Sequence, residues 1–426
     1  MGRSPLWLPS RRALLSAGAA TAAAGLLVPG RATPAAVDER RFLFVFAEGG
    51  WDQACLFAPL FDNPLCDMES HATPGQVKDI PFVDSDLRPS VRKFLERYAS
   101  KTVFINGVES RSVAHDVCLR LMTTGTSLPA ADDWPALLAA YAVADPVMPL
   151  LSLSGPSYTH LHGGVVARAG KAGQLADLVS GQALAHRDSP LYTPSATIEA
   201  LEDNLVAHLT GTNAALLERG RAGALAQGRL ESERRAVRAG EVVSALSLES
   251  AGLTLSDDIA MLVEALAIGA CRCASIGHKG FQGLSWDTHG VNANQSNNFE
   301  ELFAALLLVA DTLAERPGLS HDTLMEEVTV VVCSEMGRYP QLNSRGGKEH
   351  WTFTSCLMFG AGVRGGRAIG GYDDRIAGKR VDLESGDATE SGEALVPDHL
   401  GATLMALADI DPTEHVATEP IWAVIA

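Results

Sequence analysis

Short apolar segments alternate with longer amphipathic segments along most of the chain. The apolar, β-branched runs predict strands at Phe42–Ala47, Thr102–Val108, Met148–Leu153, Cys271–Gly277, Val328–Cys333 and Thr354–Phe359. These runs are almost continuously apolar, which is typical of strands that are buried on both faces, as in a parallel sheet. The amphipathic segments predict helices at Ser90–Tyr98, Val113–Thr123, Trp134–Tyr141, Ile198–Glu218, Ser256–Ile268, Asn298–Arg316 and Asp398–Leu407. The alternation predicts a layered α/β fold with a mostly parallel sheet.

A long helical stretch separates the third predicted strand from the fourth. It runs from about residue 195 to 269 and includes the Ala- and Arg-rich segment Arg219–Arg238. Mixed charges at this density are typical of a solvated helix rather than of a binding face. We therefore expect a helical insertion at about 195–269 within one α/β domain that spans residues 37–426.

Residues 1–36 have the pattern of an export signal. The arginine pair Arg11-Arg12 precedes the weakly hydrophobic run Ala13–Val28, and small residues follow where a signal peptidase could cut. The arginine pair resembles the twin-arginine type of signal. A membrane anchor is the alternative, but the run is shorter than the roughly 20 apolar residues needed to span a bilayer. We expect a periplasmic or extracellular protein that uses the twin-arginine export machinery and has no membrane span when mature.

The net charge argues against some classes of partner, and the cysteine pattern argues against disulfide and zinc-binding frameworks. The 426 residues carry 34 Lys and Arg against 51 Asp and Glu, a net charge of −17. Such a surface repels phosphate backbones and anionic lipid, so nucleic-acid binding and membrane-surface binding are not expected. The seven cysteines are odd in number and scattered, which favours buried thiols over a disulfide framework or a C-x-x-C zinc site. Cys271 and Cys273 are expected to face the same side of their strand.

Polar residues collect where the predicted strands end, and ligands of open α/β sheets bind outside the carboxyl ends of strands. Asp52 follows the first strand after Gly49 and Gly50, although it could simply cap the next turn. Ser110, Ser112 and His115 follow the second strand at the start of a helix. A helix amino terminus favours anions and can activate a nucleophile, but capping explains the serines equally well.

Further carboxylates and imidazoles flank three other strands. Asp287 and His289 lie two residues apart in a glycine-flanked loop, Glu335 follows the fifth strand, and His350 precedes the sixth. A surface-loop role explains His350 as well as a ligand role does. Carboxylate and imidazole together suit Zn²⁺ or Mn²⁺, or Mg²⁺ or Ca²⁺ where more oxygen ligands are added. The sequence therefore favours a divalent-cation site at this edge.

These motifs resemble those of a functionally uncharacterised bacterial family of twin-arginine-exported proteins. That family is assigned to the alkaline phosphatase-like superfamily, which includes sulfatases and phosphomutases. The likeness covers about Arg41 to the C-terminus and is most specific at Gly49-Gly50-Trp51-Asp52, Trp286-Asp287-Thr288-His289, Ser334-Glu335-Met336-Gly337-Arg338 and Glu349-His350-Trp351. The resemblance implies an α/β/α fold and a one- or two-metal centre for phosphoryl or sulfuryl transfer. Its ligand candidates are Asp52, Asp287, His289, Glu335 and His350, with Ser110, Ser112 or His115 near the position of the nucleophile.

The chain also departs from the superfamily pattern. Metal-dependent relatives have an Asp-His pair where this chain has Glu335-Met336, so one imidazole ligand is missing. The sulfatase motifs C-x-P-x-R and S-x-P-x-R are absent, and so is an Asp-Ser-Ala nucleophile motif. A complete two-metal phosphatase site is therefore not expected.

Two functions from different classes remain. One is a metal-dependent hydrolase of a phosphate or sulfate ester on a small molecule or glycan, in which Arg338 stabilises charge on the transferring group or forms only a surface ion pair. The other is a non-catalytic exported binding or assembly module. Convergence of Asp287, His289, Glu335 and His350 within about 5 Å of one point favours a metal site.

The match of residues 360–365 to G-x-G-x-x-G lies in a glycine-rich stretch that predicts turns, not a nucleotide-binding helix.

Overall fold

The computed structural model describes residues 39–169 and 254–426, with four single positions between them. The predicted export signal and most of the predicted insertion lie outside these residues. Twelve strands are described: Arg41–Ala47 (β1), Thr73–Val77 (β2), Ile80–Asp84 (β3), Thr102–Glu109 (β4), Leu150–Ser152 (β5), Val166–Arg168 (β6), Cys273–His278 (β7), Val328–Ser334 (β8), Gly337–Leu342 (β9), Lys348–Trp351 (β10), Phe353–Gly360 (β11) and Arg367–Gly370 (β12).

Eight of these strands form one sheet in the order β12-β4-β11-β8-β1-β7-β5-β6. All neighbours pair in parallel except β11, which is antiparallel to both β4 and β8. The predicted mostly parallel sheet is thus confirmed. Because β11 runs against the others, its amino end lies at the edge where they have their carboxyl ends. Residues just before β11 therefore meet residues that follow β1, β4, β7 and β8.

Helices cover both faces of the sheet. The longer helices are Pro89–Tyr98 (α1), His115–Thr124 (α2), Trp134–Ala140 (α3), Leu255–Ala267 (α4), Asn294–Glu315 (α5) and Pro397–Leu407 (α6). Successive side chains of a strand point to opposite faces, so Leu43 and Val45 of β1 pack with α1, α4 and α5. Phe42 and Phe44 pack with α2, α3 and α6. This arrangement confirms the predicted layered α/β fold.

The structure corrects two details of the sequence analysis. Arg367–Gly370 in the glycine-rich stretch forms β12, parallel to β4, where only turns were expected. Cys271 precedes β7 and belongs to the core on one face of the sheet, whereas Cys273 belongs to the opposite core. The expectation that both face one side was wrong, because Cys271 lies before the regular alternation of the strand begins. All seven cysteines are buried and free, as expected.

None of the helices within 39–169 and 254–426 has the length and apolar character required to span a membrane.

Candidate functional site

The loop after β1 brings two other loops to the carboxyl edge of the sheet. Gly49 and Gly50 both have positive φ, which non-glycine residues rarely adopt. The Gly49 amide donates a hydrogen bond to Oε1 of Glu335 at 2.8 Å. A Cβ on Gly49 would lie 2.9 Å from the amide nitrogen of Asp287. The glycines therefore allow the loops that carry Glu335 and Asp287 to approach closely.

Asp287, His289 and His350 meet at this edge. Nε2 of His289 lies 2.9 Å from Nε2 of His350. Oδ1 of Asp287 lies 3.2 Å from His289 Nε2 and 3.5 Å from His350 Nε2. Residues 61 positions apart in the chain are thus in direct contact, as the position of β11 in the sheet requires.

His115 completes the group from the first turn of α2. Its Nε2 lies 3.6 Å from Oδ2 of Asp287, and its ring packs edge-on against His350 with centroids 4.4 Å apart. That Nε2 atom is buried and has no hydrogen-bond partner. Ligand atoms of His115, Asp287 and His350 all lie within 4.8 Å of one another, a spacing that a single cation could bridge. We call His115, Asp287, His289 and His350 the imidazole cluster.

The hydrogen-bond acceptor next to each Nδ1 determines which nitrogen of that imidazole ring carries the proton. Nδ1 of His115 lies 2.8 Å from Glu335, Nδ1 of His289 lies 2.7 Å from Glu349, and Nδ1 of His350 lies 2.7 Å from the Val113 carbonyl. Carboxylates and carbonyls only accept hydrogen bonds, so each Nδ1 carries a proton and donates it. In the neutral rings every Nε2 therefore presents a lone pair to the centre of the cluster.

The electrostatics differ between the members of the cluster. The hydrogen bond to Glu335 raises the pKa of His115 despite the opposing effect of burial. Burial lowers the pKa of His350, although its hydrogen bond to Val113 opposes the shift. Burial acts to raise the pKa of Asp287, but the hydrogen bond and charge of Arg338 outweigh it, and the net shift is downward. Asp287 is therefore a carboxylate at neutral pH.

Arg338 is fully buried beneath Asp287. Nη2 of Arg338 lies 2.7 Å from Oδ1 of Asp287, and the same atom donates to the Gly49 carbonyl. Nε donates to the carbonyl of Gly50 at 2.9 Å, and Nη1 to that of Lys348 at 3.2 Å. Of the two roles that the sequence offered for Arg338, the ion pair is present, with the guanidinium buried and the carboxylate of Asp287 partly exposed. These contacts fix the orientation of Asp287 and occupy the guanidinium.

Glu335 lies behind the cluster rather than within the group of converging ligand atoms. Its Oε1 accepts from His115 and from the Gly49 amide, and its Oε2 accepts from Ser334 Oγ at 3.0 Å. It is buried. A carboxylate in this position holds the ring and the proton of a ligating histidine, as outer partners of metal ligands commonly do.

Asp52 pairs with Lys348 instead of joining the imidazole cluster. Its side chain is fully buried, and Oδ2 forms an ion pair with Nζ of Lys348 at 2.8 Å. Oδ1 accepts from the Ala54 amide at 3.0 Å, so Asp52 also caps the short 3₁₀ turn that follows. The capping role that the sequence offered as an alternative is the one observed.

The two serines near α2 make backbone contacts. Ser110 is fully buried, and its hydroxyl lies 2.9 Å from the Thr352 carbonyl and 3.0 Å from the Ser112 carbonyl. The Ser112 hydroxyl accepts from the Ala114 amide at 3.2 Å, just before α2. Both contacts stabilise the turn that presents His115.

Sequence reasoning gave no role to two residues that contact members of this site or its neighbours. Glu349 orients His289, and Lys348 neutralises Asp52. In the sequence, Lys348 and Glu349 directly precede His350. Because successive side chains of a strand point to opposite sides, this pair of opposite charges could have predicted a strand in which one of the two charges is buried.

The fold and the site define an α/β protein with three imidazoles and one carboxylate converging at the carboxyl edge of its central sheet. The chain belongs to DUF1501, a family described as proteins of unknown function, which matches residues 39–419. No curated protein matches the chain by sequence.

Several solved structures are similar in fold. The lipoteichoic acid synthase LtaP from Listeria monocytogenes is 8% identical, with a TM-score of 0.38, and the match covers 98% of this chain and 82% of that one. The lipooligosaccharide phosphoethanolamine transferase from Neisseria meningitidis is 12% identical with a TM-score of 0.38, and 92% of this chain matches 58% of it. Alkaline phosphatase from the Antarctic bacterium TAB5 is 13% identical with a TM-score of 0.33, and 79% of this chain matches 95% of it.

Proposed function

We propose that this protein is an exported, divalent-cation-dependent hydrolase of phosphate or sulfate esters, with the imidazole cluster as its metal site. The observation that carries the proposal is the 2.9 Å contact between Nε2 of His289 and Nε2 of His350. Both rings donate their Nδ1 protons outward, so in the neutral forms two lone pairs face each other. Two such lone pairs repel unless a proton or a cation lies between them. The carboxylate of Asp287 and the unpartnered Nε2 of His115 add donor atoms that a divalent cation can use and a single shared proton cannot.

The donor set fits a borderline cation better than a hard one. Three imidazole nitrogens and one carboxylate oxygen are typical zinc ligands, whereas Mg²⁺ and Ca²⁺ prefer oxygen. His115, Asp287, His289 and His350 would hold the ion. When bound, it supplies Lewis-acid polarisation of an ester oxygen and lowers the pKa of a coordinated group.

The chain's own residues prepare the site for this chemistry. Arg338 holds Asp287 in its ionised form, and Glu335 holds the proton of His115 on Nδ1. Partial exposure of the cluster gives a substrate access from one side, since the side chain of His350 is 22% exposed and that of Asp287 38%. No side-chain nucleophile is assigned, and we expect water to attack the ester.

One observation favours the second candidate, a non-catalytic binding module. Ser110 lies at the position where the resemblance places a nucleophile, but its hydroxyl is buried against backbone carbonyls. A protein that binds a cation without turning over esters would use the same cluster to recognise an anionic or glycan ligand.

Elemental analysis and activity assays test the two candidates together. The protein is purified without chelator, its metal content is measured, and it is assayed with p-nitrophenyl phosphate, bis(p-nitrophenyl) phosphate and p-nitrophenyl sulfate. We expect bound metal and turnover of at least one ester, both lost in His350→Gln and retained in the matched control His71→Gln, whose side chain is exposed. Metal without turnover favours the binding module, and the absence of both overturns the proposal.

A further inference from the structure

Lys348 is a buried cation next to the imidazole cluster. Its side chain is 1% exposed, and its ammonium lies 2.8 Å from a carboxylate oxygen of Asp52, which is itself fully buried. The two side chains therefore form an ion pair within the protein interior.

Asp52 accepts from four donors within the chain. Oδ2 accepts from Lys348, from Nδ2 of Asn292 at 2.8 Å and from the Cys55 thiol at 3.5 Å. Oδ1 accepts from the Ala54 amide. Each oxygen of an ionised carboxylate offers about two lone-pair positions, so the three donors around Oδ2 leave no position on that oxygen for a cation. Asp52 thus has its counter-charge within the chain and needs no external cation.

The backbone of Lys348 connects the same region to two members of the cluster. Its amide donates to the carbonyl of Thr288 at 3.0 Å, between Asp287 and His289 in the chain. Its carbonyl accepts from Arg338, which binds Asp287. His350 lies two residues further along β10. One residue therefore links the loop after β1, the loop that carries Asp287, and the strand that carries His350.

We propose that Lys348 is a positioning residue: its ammonium neutralises Asp52 and sets the spacing of Asp287 and His350, so the imidazole cluster holds a single cation to which Asp52 does not bind. This inference rests on the proposed metal site but does not depend on which reaction, if any, the site performs.

Cobalt titration tests the proposal without an activity assay. Co²⁺ in a site of nitrogen and oxygen ligands gives a visible absorption band whose position and intensity report the geometry. We expect the wild type to bind one Co²⁺ per chain. Lys348→Met leaves Asp52 charged and unpaired, so we expect at least a tenfold weaker affinity, a shifted band and an unchanged stoichiometry of one.

Replacing both Asp52 and Lys348 by neutral residues distinguishes a positioning role of the pair from metal ligation by Asp52. In Asp52→Asn/Lys348→Met no buried charge is left unpaired, so the affinity and the band are expected to return to within about threefold of the wild type. Lys379→Met, at an exposed lysine, is the matched control and is expected to change neither. Circular dichroism establishes that each variant is folded.

Several results would overturn the inference. If Asp52 were a ligand, Lys348→Met would free it, and the affinity would rise or a second Co²⁺ would bind. The double variant would then be no tighter than Lys348→Met. Two Co²⁺ ions in the wild type would also contradict a single-cation site, even if Lys348→Met failed to fold. A wild type that binds no Co²⁺ would overturn the proposed metal site itself, a result distinct from all of these.

Discussion

The lone pair on His115 Nε2 depends on one proton, the proton that Nδ1 of the same ring donates to Glu335. That hydrogen bond is 2.8 Å long and is buried on the side of Glu335. It fixes the tautomer, and it raises the pKa of the ring. In the proposed metal site, this contact would hold the ring and the tautomer of a ligating histidine.

Glu335→Gln tests this contact. A neutral amide in place of the carboxylate weakens its hold on the His115 tautomer, so we expect a cation affinity about 10- to 100-fold lower. The measurement is a Zn²⁺ or Co²⁺ titration. Glu96→Gln, at an exposed glutamate of α1, is expected to bind as the wild type does. Equal affinities for the two variants would show that Glu335 does not support the cluster.

A second residue-scale prediction concerns the glycine next to Lys348. A Cβ on Gly347 would lie 2.2 Å from the carbonyl carbon and oxygen of His289, so Gly347→Ala must displace the backbone of a cluster residue. We expect cation affinity to fall at least tenfold.

Gly290→Ala provides the matched control for this change. Gly290 directly follows His289, but a Cβ there meets nothing within 4 Å, and its φ is not in the left-handed region. This variant is expected to keep the affinity of the wild type. A Gly347→Ala protein with unchanged affinity would mean that the His289 backbone is free to move without consequence for the site.

At the scale of elements, the sequence predicts the sheet well and the small hairpins poorly. The central strands are long apolar runs, and burial on both faces makes that pattern unambiguous. The hairpin of β9 and β10 was missed because Gly337–Leu342 contains Pro340 and Lys348–Trp351 is mostly polar. Short strands of this kind bury little apolar surface and leave a weak signal.

Helix α3 carries a prediction about pH. Asp133 caps this helix through the Ala136 amide and also accepts from the Tyr158 amide. Burial raises its pKa to about 7, above the value of about 3.9 expected in the unfolded chain. The folded state thus binds an additional proton between these values. The contribution of this proton on Asp133 to the free energy of unfolding is fully present below about pH 3.9 and is lost as the pH rises through about 7.

Urea unfolding at pH 5.5 and pH 8 measures this effect. The free energy of unfolding of the wild type is expected to fall by about 1–2 kcal/mol more between these values than that of Asp133→Asn, which has no group to titrate at this position. Equal decreases in the free energy of unfolding of the two proteins would show that Asp133 does not titrate near neutral pH.

At the scale of the whole molecule, the sequence predicted the edge at which the polar residues gather but not which atoms would meet there. The carboxyl ends of parallel strands share one edge, so Asp287, His289 and His350 could be expected to lie close together. That His115 lies in the cluster and Glu335 lies behind it could not be predicted from the chain. It depends on which side chain lies behind the other, and side-chain packing between distant segments decides that.

Export is a prediction for the chain as a whole. The arginine pair Arg11-Arg12 is the feature of residues 1–36 that resembles a twin-arginine signal. Replacing both residues by lysine keeps the positive charge, so loss of export would reflect recognition of arginine itself. We expect the wild type in the periplasm or medium and the variant retained in the cytoplasm, as measured by cell fractionation. Equal distribution of the two proteins would contradict this route.

The central claim is that three imidazoles and one carboxylate bind a single divalent cation. X-ray absorption spectroscopy of the zinc-loaded protein tests it most directly, because it reports the number and type of ligands around the ion. We predict three nitrogen ligands that scatter as imidazoles at about 2.0–2.1 Å and at least one oxygen ligand at about 2.0–2.2 Å. A shell made only of oxygen, or one containing sulfur, would contradict the account.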